Sequence, residues 1–297
     1  MKTFVIAQHH GVFLTLQSLI DCGIEDVIII VPGSQVTKYN KMYNDNPTNP
    51  EFQAFEDYDK KIGEFVKVNN TNYKVYVFDD FDIRNTVSST LRFVEAFGCG
   101  EIAVAILSGT IVIKDFTQCI KQDLMLKTFG GCLARVYQNN QQLSMYHMLG
   151  MPQMDKSIDV NFFVADMTKL GSLDLALSDS ELLSNLIKNK QLTYLPRDYN
   201  GKDDVLIGAA ISARQTIAHN LKIQHGYVVN LWNKSIKGND ALKSEEIYGY
   251  PLNIYSKYVK PVANYLPKST VNKIITNGNE TERWTGGLYD CLDIIDL

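Results

Sequence analysis

The sequence has 297 residues, of which 45% are apolar and 21% are charged, and its formal net charge is −4. This composition is typical of a globular chain that buries a sizeable core, and it excludes a fibre, a coiled coil and a disordered acidic tail. No apolar run approaches the ~20 residues that span a bilayer, and no small-residue cleavage site follows the apolar residues 4–7. We therefore expect an intracellular, cytoplasmic protein.

Five cysteines make an odd number, and no two of them form a Cys-x-x-Cys pair. A disulfide framework and a structural zinc site are therefore not expected. Reduced thiols buried in the core are the simpler interpretation.

Charge is unevenly distributed along the chain. Residues 1–204 carry a net charge of −6, residues 205–279 carry +6, and residues 280–297 carry −4. The basic segment suggests an anionic partner for the last third of the chain. A chance cluster on an ordinary solvated surface is the alternative.

The first 34 residues have the pattern of a βαβ unit. Residues 4–7 are a short apolar run, which predicts a buried parallel strand. Apolar side chains at helical spacing over residues 13–22 predict a helix that ends at Gly23. Residues 27–31 are the strongest strand signal in the chain. We therefore expect two parallel strands joined by a right-handed crossover.

Strand and helix signals continue to about residue 113. Residues 38–72 are rich in polar residues and predict a long excursion with one short helix near 52–65. A third strand is predicted over 73–78, a helix over 86–97 and a fourth strand over 102–107. After the interruption Ser108-Gly109-Thr110, the fourth strand is expected to resume at 111–113.

Regular patterns become weaker in the second half. Strands are predicted at 132–137, 143–148, 159–165 and 227–231, helices at 182–187 and 205–219, and an irregular Tyr- and Lys-rich segment at 247–279. The fold class is therefore α/β, with a Rossmann-like, mostly parallel sheet followed by an irregular half. Residues 1–130 and 131–297 are expected to be two regions of one globular domain.

In open parallel sheets, ligands bind outside the carboxyl ends of the strands. This rule nominates the residues at the ends of the four predicted strands, which are Gln8, His9, His10, Pro32, Gly33, Ser34, Asp79, Asp80, Ser108, Gly109 and Thr110. Arg84, five residues after Asp79, is a separate candidate for contact with a base or a phosphate.

Several nucleotide-binding and hydrolase motifs are absent from the sequence. It contains no G-x-G-x-x-G after the first strand and no G-x-x-x-x-G-K-[ST], which disfavours dinucleotide dehydrogenases and P-loop NTPases. It also contains no G-x-S-x-G elbow and no H-E-x-x-H helix, so serine hydrolases and zincins have no support.

The order of elements resembles the GT-A fold of nucleotide-sugar glycosyltransferases, including the family-2-like enzymes. Three segments carry the resemblance: the strand–helix–strand unit over 3–34, the helix and strand over 86–111, and Gly201-Lys202-Asp203-Asp204-Val205. The resemblance implies a nucleoside-diphosphate sugar as donor, with UDP as the expected nucleotide, and a hydroxyl acceptor.

The sequence departs from this family at its metal motif. The family has Asp-x-Asp where this chain has Ser108-Gly109-Thr110, and neither Ser nor Thr offers the carboxylate that a hard divalent cation prefers. Either the enzyme works without a metal, or the ligands come from Asp79, Asp80 or Asp115, or the resemblance fails. Without a metal, the departing diphosphate needs cations or N–H donors. The candidates are His9, His10, Arg84, Lys202, Arg214 and His225.

The resemblance also implies roles for two acidic pairs. An acid at Asp79 or Asp80 would accept the N3–H of uracil, although a helix-capping cluster ahead of Asn85 is an equal interpretation. Of Asp203 and Asp204, the second would be the general base that deprotonates the acceptor, and a helix N-terminal cap is the alternative.

The acceptor side is predicted from charge. Residues 247–279 contain no acid, and their lysines alternate with tyrosines, which suits phosphates and stacked bases or sugars. The candidate acceptor residues are Asp159, Arg214, His225, Lys257 and Lys260. One fitting class is the phage enzymes that glycosylate hydroxymethylated pyrimidines in duplex DNA. A nucleotidyltransferase and a non-catalytic nucleic-acid-binding protein on the same fold remain alternatives.

Overall fold

The protein is described by a computed structural model. The model describes residues 1–98, 101–112, 114–118, 120, 129–135, 156–169, 177–182, 185, 189, 210, 218–220, 228–230, 254–269 and 271. By its contacts the chain divides into two compact units. The first unit comprises Thr3–Asp80, Ile106–Phe116 and Ile223–Leu297, and the second comprises Met1–Lys2, Phe81–Ala105 and Thr117–Lys222. The predicted functional division at residue 130 stays a prediction.

Three parallel strands form the sheet of the first unit. Their order is β3-β2-β1, and each is preceded or followed by a helix. The elements, in chain order, are β1 (Lys2–Ile6), α1 (Val12–Asp21), β2 (Val27–Pro32), α2 (Gly33–Asp45), α3 (Tyr58–Val68) and β3 (Lys74–Phe78). Parallel registers join Phe4 to Ile28, and Ile28 to Lys74. The predicted βαβ unit and the α/β class are confirmed.

The polar segment between β2 and β3 is more helical than predicted. It contains two full helices, α2 and α3, with a 3₁₀ turn at Phe52–Phe55 between them. The expected excursion from residue 38 is therefore wrong over α2. This helix buries only Gly33, Gln35 and Tyr39, so it lacks the apolar periodicity that marks a helix in sequence.

The next helix and strand have the predicted bounds. They are α4 (Thr86–Phe97) and β4 (Ile102–Leu107). Gly98 ends α4 in the left-handed region at φ 68° and donates its N–H to the Val94 carbonyl. Glycine adopts this conformation without strain, which is why it marks helix ends in a sequence. β4 begins in the second unit and ends in the first.

The strand after Gly109 does not continue β4. Instead, β5 (Thr110–Val112) pairs antiparallel with β9 (Val228–Asn230) in a separate two-stranded sheet. The prediction that β4 resumes is therefore corrected, because Gly109, at φ 85°, redirects the chain into another sheet. The predicted strand at 227–231 is confirmed by β9.

The second unit contains a mixed set of strands. They are β6 (Phe129–Arg135), β7 (Lys156–Asp166) and β8 (Ala218–Asn220), in the order β7-β6-β8. β6 is antiparallel to β7 and parallel to β8. The helix predicted over 205–219 is wrong at its end, because backbone pairing with Phe129–Gly131 places residues 218 and 219 in β8. The predicted strand at 143–148 lies outside the described residues.

The segment predicted to be irregular at 247–279 contains a helix, α5 (Ile254–Val262), followed by a 3₁₀ turn at Ala263–Tyr265. Its buried side chains Tyr258, Val259 and Val262 have helical spacing, but Pro261 in the last turn obscures that pattern. Tyr265 stacks on Phe13 of α1 at 4.7 Å between ring centroids. α5 and the turn after it therefore pack on the core of the first unit. In the ranges that the structure describes, no helix is long and apolar enough to cross a membrane.

Candidate functional site

Polar residues follow each of the parallel strands of the first unit. Because β1, β2 and β3 are parallel, their carboxyl ends share one edge of the sheet, and the end of β4 bonds to β1 there. The structure thus brings together the segments at residues 8–10, 33–34, 79–80 and 108–110. All four belong to the first unit. The edge where a ligand is expected in such a sheet is therefore built from the predicted residues.

Ser108 joins the ends of β1 and β4. Its hydroxyl donates to the Ile6 carbonyl at 2.7 Å and accepts the Gln8 N–H at 2.9 Å. Its own N–H also donates to the Ile6 carbonyl, at 3.1 Å, and its side chain is fully buried. The Ser108 hydroxyl is therefore engaged in holding the backbone after β1.

Gly109 closes the same turn against α1. Its N–H donates to the Thr15 hydroxyl at 3.0 Å and to the Gly11 carbonyl at 3.2 Å. The positive φ of 85° favours glycine at this position. Ser108-Gly109-Thr110 is thus a buried structural turn at the end of β4.

The side chains of this turn do not fit a hard divalent cation. Ser108 and Thr110 are buried, Gly109 has no side chain, and carboxylates are the preferred protein ligands of Mg²⁺. The alternative carboxylates Asp79, Asp80 and Asp115 are exposed. Across the described ranges, no group of three or more His, Cys, Asp and Glu side chains could hold a metal ion. We derive no catalytic step through a metal here.

The two histidines after β1 have different surroundings. The Gly11 N–H donates to His9 Nδ1 at 3.0 Å, so a neutral His9 carries its proton on Nε2. His9 is half-buried. His10 is 1% exposed and packs against Phe55 at 5.7 Å between ring centroids. The structure places His10 in the core, and the phosphate contacts of both histidines stay predictions.

Gly33 lets the end of β3 approach the first turn of α2. A Cβ on Gly33 would collide with Asp79 Oδ1 and would lie 3.0 Å from the Asp79 Cα. The Asp79 carboxylate therefore lies against the N-terminal end of α2, where the helix dipole favours a negative charge. Asp79, Asp80 and Ser34 remain exposed. Their exposure leaves two carboxylates and a hydroxyl available to a ligand.

The capping acid in this region is Asp82. Its carboxylate accepts the Arg84 N–H at 2.9 Å and the Asn85 Nδ2 at 2.9 Å. The capping role considered for Asp79 and Asp80 at this turn is thus filled by Asp82. Arg84 lies in the 3₁₀ turn Ile83–Asn85 of the second unit with an exposed side chain.

Two buried tyrosines hold the backbone after β1, and the sequence does not single them out. The Tyr58 hydroxyl donates to the Ala7 carbonyl at 3.4 Å, and the Tyr39 hydroxyl donates to the Gln8 carbonyl at 3.3 Å. Their rings pack 4.8 Å apart. Burial, together with neighbouring Tyr39, raises the pKa of Tyr58 well above its usual range. The Tyr58 hydroxyl therefore stays protonated as a donor over the physiological pH range.

Gln35 is a further residue that sequence patterns miss. It lies in the first turn of α2, two residues after Gly33, and is 6% exposed. Its Oε1 is buried and finds no donor among the described residues. A buried amide oxygen costs free energy unless it is paired, so Gln35 is a candidate acceptor for a ligand N–H.

The structure describes only some of the remaining predicted site residues. Asp159 lies in β7 opposite Cys132, Lys257 lies in α5, and Lys260 is exposed near the end of that helix. Their acceptor roles stay predictions. The other candidates lie outside the described residues: Lys202, Asp203, Asp204, Arg214 and His225.

We expect Gly33→Ala to destabilise the protein by ~1–3 kcal/mol, since the new methyl group overlaps the Asp79 carboxylate. Gly63→Ala is the matched control, because Gly63 lies inside α3 and its Cβ would meet nothing within 4 Å. That change should stabilise the protein by ~0.5–1 kcal/mol through helix propensity. Urea unfolding of both variants measures the difference. Equal effects would show that Gly33 and Asp79 are not in close contact.

Comparison with known proteins finds structural similarity only. No family model and no curated protein matches the chain. The galactosyltransferase LgtC, solved with donor and acceptor sugar analogs, has a TM-score of 0.41 and 10% identity over 70% of this chain and 70% of its own. GlyE of Streptococcus pneumoniae has a TM-score of 0.43 and 11% identity over 90% of this chain and 52% of its own.

Mouse xyloside xylosyltransferase 1 has a TM-score of 0.45 and 8% identity over 83% of this chain and 93% of its own. The chain thus spans about half the length of GlyE and nearly all of the mouse protein. These similarities assign no activity to the chain.

Proposed function

We propose that this chain is a glycosyltransferase that binds a UDP-sugar at the carboxyl ends of β1–β4 and transfers the sugar to a hydroxyl acceptor. The observation that carries the proposal is the packing of Asp79 against Gly33, which puts exposed carboxylates beside the start of a 13-residue helix. Carboxylates accept the N–H groups of a nucleobase, and helix N–H groups bind phosphate. The GT-A-like order of elements supports the same assignment.

Each part of the donor has a proposed partner. Asp79 or Asp80 accepts the N3–H of uracil, and Gln35 Oε1 offers a second acceptor nearby in α2. The first N–H groups of α2 bind the diphosphate, and His9, at the end of β1, is a further candidate for that contact. Gln8, His10 and the turn at 108–110 shape the floor of the site through their backbone.

Transfer needs a base as well as a bound donor. In an inverting reaction, the acceptor oxygen bonds to the anomeric carbon, the bond from that carbon to the diphosphate oxygen breaks, and UDP leaves with the electron pair. Asp204 takes the proton of the acceptor hydroxyl, with Asp203 as the second acid of the pair.

The proposed acceptor is anionic, and hydroxymethylated pyrimidine in duplex phage DNA fits the basic segment 205–279. Lys257, Lys260, Arg214 and His225 would contact phosphates, and Asp159 the acceptor hydroxyl. Affinity for duplex DNA should fall by ~10²–10³-fold between 50 and 200 mM salt, as expected for about four to six phosphate contacts. Fluorescence anisotropy at several salt concentrations measures this. Absence of binding to DNA at the lowest salt concentration would contradict a DNA acceptor and would favour a saccharide or small-molecule acceptor.

The donor is tested by thermal shift with nucleotides and nucleotide sugars in excess EDTA. A donor at ~100 times its Kd should add ~2.7 kcal/mol to the stability. Because the turn at 108–110 offers no carboxylate, we expect UDP-sugar binding and slow donor hydrolysis to persist in EDTA. Loss of both in EDTA and their return with Mn²⁺ would show that Asp79, Asp80 or Asp115 supplies metal ligands. Binding without hydrolysis would favour a non-catalytic protein.

A further inference from the structure

Glu51 binds a residue that lies 218 positions away in the sequence. The Ser269 N–H donates to the two oxygens of the Glu51 carboxylate at 2.9 and 3.2 Å, and the Ser269 hydroxyl donates to the same carboxylate at 2.6 Å. Both residues are half-buried and belong to the first unit. Hydrogen bonds to an ionised carboxylate are shorter and stronger than those between neutral groups, so this contact joins the two parts of the chain firmly.

Ser269 lies in a helical turn that the residue before the turn does not cap. The turn begins at Lys268, and the Val271 N–H closes it by donating to the Pro267 carbonyl at 3.0 Å. The first N–H groups of a helical turn have no partner within it, and a Ser, Thr, Asp or Asn just before the turn usually accepts one of them. Pro267 stands at that place and has no side-chain oxygen. Glu51 therefore supplies the acceptor from another part of the chain.

The backbone that carries the Glu51 side chain is itself held in place. The Glu51 N–H donates to the Asn49 side-chain oxygen at 3.0 Å, and Glu51 directly precedes the 3₁₀ turn Phe52–Phe55. Phe55 is fully buried and stacks on Tyr39 at 4.7 Å between ring centroids. The carboxylate is therefore fixed to the core of the first unit, and the turn after Pro267 docks onto it.

A second contact to the core lies shortly before Ser269. Tyr265 stacks on Phe13 of α1 at 4.7 Å between ring centroids and meets Phe65 of α3 edge-on at 5.1 Å. Residues 254–269, which we call the lysine segment, are thus joined to the first unit by an aromatic contact and by the carboxylate contact at their end. The second of these is directional, because hydrogen bonds weaken steeply with misalignment.

The lysine segment carries positive charge on this docked backbone. It contains no acid, Lys260 precedes Tyr265, and Lys268 directly precedes Ser269. The side chains of Lys260 and Lys268 are exposed. A ligand binds more tightly to groups that are already ordered, because less conformational freedom is lost on binding. An anion that contacts these lysines therefore benefits from the contacts that dock the segment.

We propose that Glu51 is a positioning residue that anchors the lysine segment to the core of the first unit and so holds Lys260 and Lys268 for an anionic acceptor. The acceptor role rests on the proposed function, whereas the anchoring does not. Glu51 acts through Ser269 and the backbone, without touching the acceptor. Removing its negative charge therefore weakens the binding of an anion, which is the opposite of the effect of charge alone.

Hydrogen exchange of the full chain, read by mass spectrometry, tests the anchoring. Glu51→Ala should speed exchange of the amides that follow Pro267 by about 10–100-fold, the factor expected when a hydrogen bond to a charged group is lost. Ser269→Asp should also speed it, because two carboxylates then face each other. Glu51→Gln should have an intermediate effect, since its amide oxygen still accepts one N–H.

Glu64→Ala is the matched control, because Glu64 is exposed on α3 and its loss removes the same charge from the same unit. It should leave this exchange within about twofold of the parent. Peptides from β1 and β2 report whether the core stays folded. Unchanged exchange after Pro267 in Glu51→Ala would overturn the anchoring. An increase in Glu51→Ala and Ser269→Asp that is equally large in β1 and β2 would also overturn it.

Titration with duplex DNA at low salt tests the positioning role. Glu51→Ala should weaken DNA binding by about threefold or more and leave UDP-sugar binding unchanged, whereas Glu64→Ala should strengthen DNA binding slightly because a negative charge is lost. Stronger DNA binding by both variants would overturn the positioning role. A parent protein that binds no DNA would overturn the DNA acceptor and this role with it, while hydrogen exchange would still decide the anchoring.

Discussion

Tyr58→Ala should lower the free energy of unfolding by ~3–5 kcal/mol, the range for removing a large buried aromatic side chain. Tyr58 is fully buried, and its ring packs against Phe13 at 6.4 Å and Tyr39 at 4.8 Å between centroids. The substitution leaves a cavity among these rings and removes the donor to the Ala7 carbonyl. Since small domains are stable by only ~5–15 kcal/mol, a large share of the total would be lost.

Two control variants separate the contribution of the Tyr58 ring to stability from that of its hydroxyl. Tyr58→Phe keeps the packing and removes one hydrogen bond, so it should cost ~0.5–1.5 kcal/mol. Leu182→Ala changes a side chain that is 51% exposed and should stay within ~0.5 kcal/mol of the parent. Urea unfolding measures all three variants. A cost for Tyr58→Ala no larger than that of Tyr58→Phe would contradict the packing described for this ring.

Asp204→Asn should reduce sugar transfer by ~10²–10⁴-fold while leaving donor binding nearly unchanged, because a general base typically contributes that much. The change is almost isosteric and removes the charge that accepts the acceptor proton. Single-turnover transfer rates and donor titrations measure the two effects separately.

Asp203→Asn is the matched control, since it removes the neighbouring charge and leaves Asp204, the proposed base, in place. It should reduce transfer far less than Asp204→Asn does. A transfer rate of the Asp204→Asn variant within about threefold of the parent rate would show that Asp204 is not the base. A retaining reaction, which needs no such base, would then replace the inverting reaction as the proposed mechanism.

Local patterns predict the elements whose signals are contained in their own residues. β1, β2 and β4 are continuous apolar runs because both of their faces are covered, and α4 ends at a glycine that the αL conformation requires. The sequence pattern does not predict α2, because a single aromatic residue, Tyr39, supplies most of its packing. Local patterns do not predict β8 either, because pairing with a distant strand, and not local propensity, decides its conformation.

The candidate site, like the fold, has some features that the sequence predicts and others that it does not. The sheet-edge rule identifies which loops converge, because it depends only on parallel strands in order. It does not identify what each side chain does. Ser108 turns its hydroxyl inward to the Ile6 carbonyl, and Asp82, not Asp79, caps the neighbouring turn. The role of Ser108 depends on a contact between residues far apart in the chain, as do the hydroxyl bonds of Tyr39 and Tyr58.

The central claim is that the carboxyl ends of β1–β4 form a donor site for a nucleotide sugar. Photoaffinity labelling with an azido-uridine analogue of a UDP-sugar, followed by peptide mapping, tests it most directly. We expect the label on segments 8–11, 33–35 or 79–80, with labelling suppressed by excess unmodified UDP-sugar. Labelling that falls on other segments, or that unmodified UDP-sugar does not suppress, would contradict the assignment of this edge as the donor site.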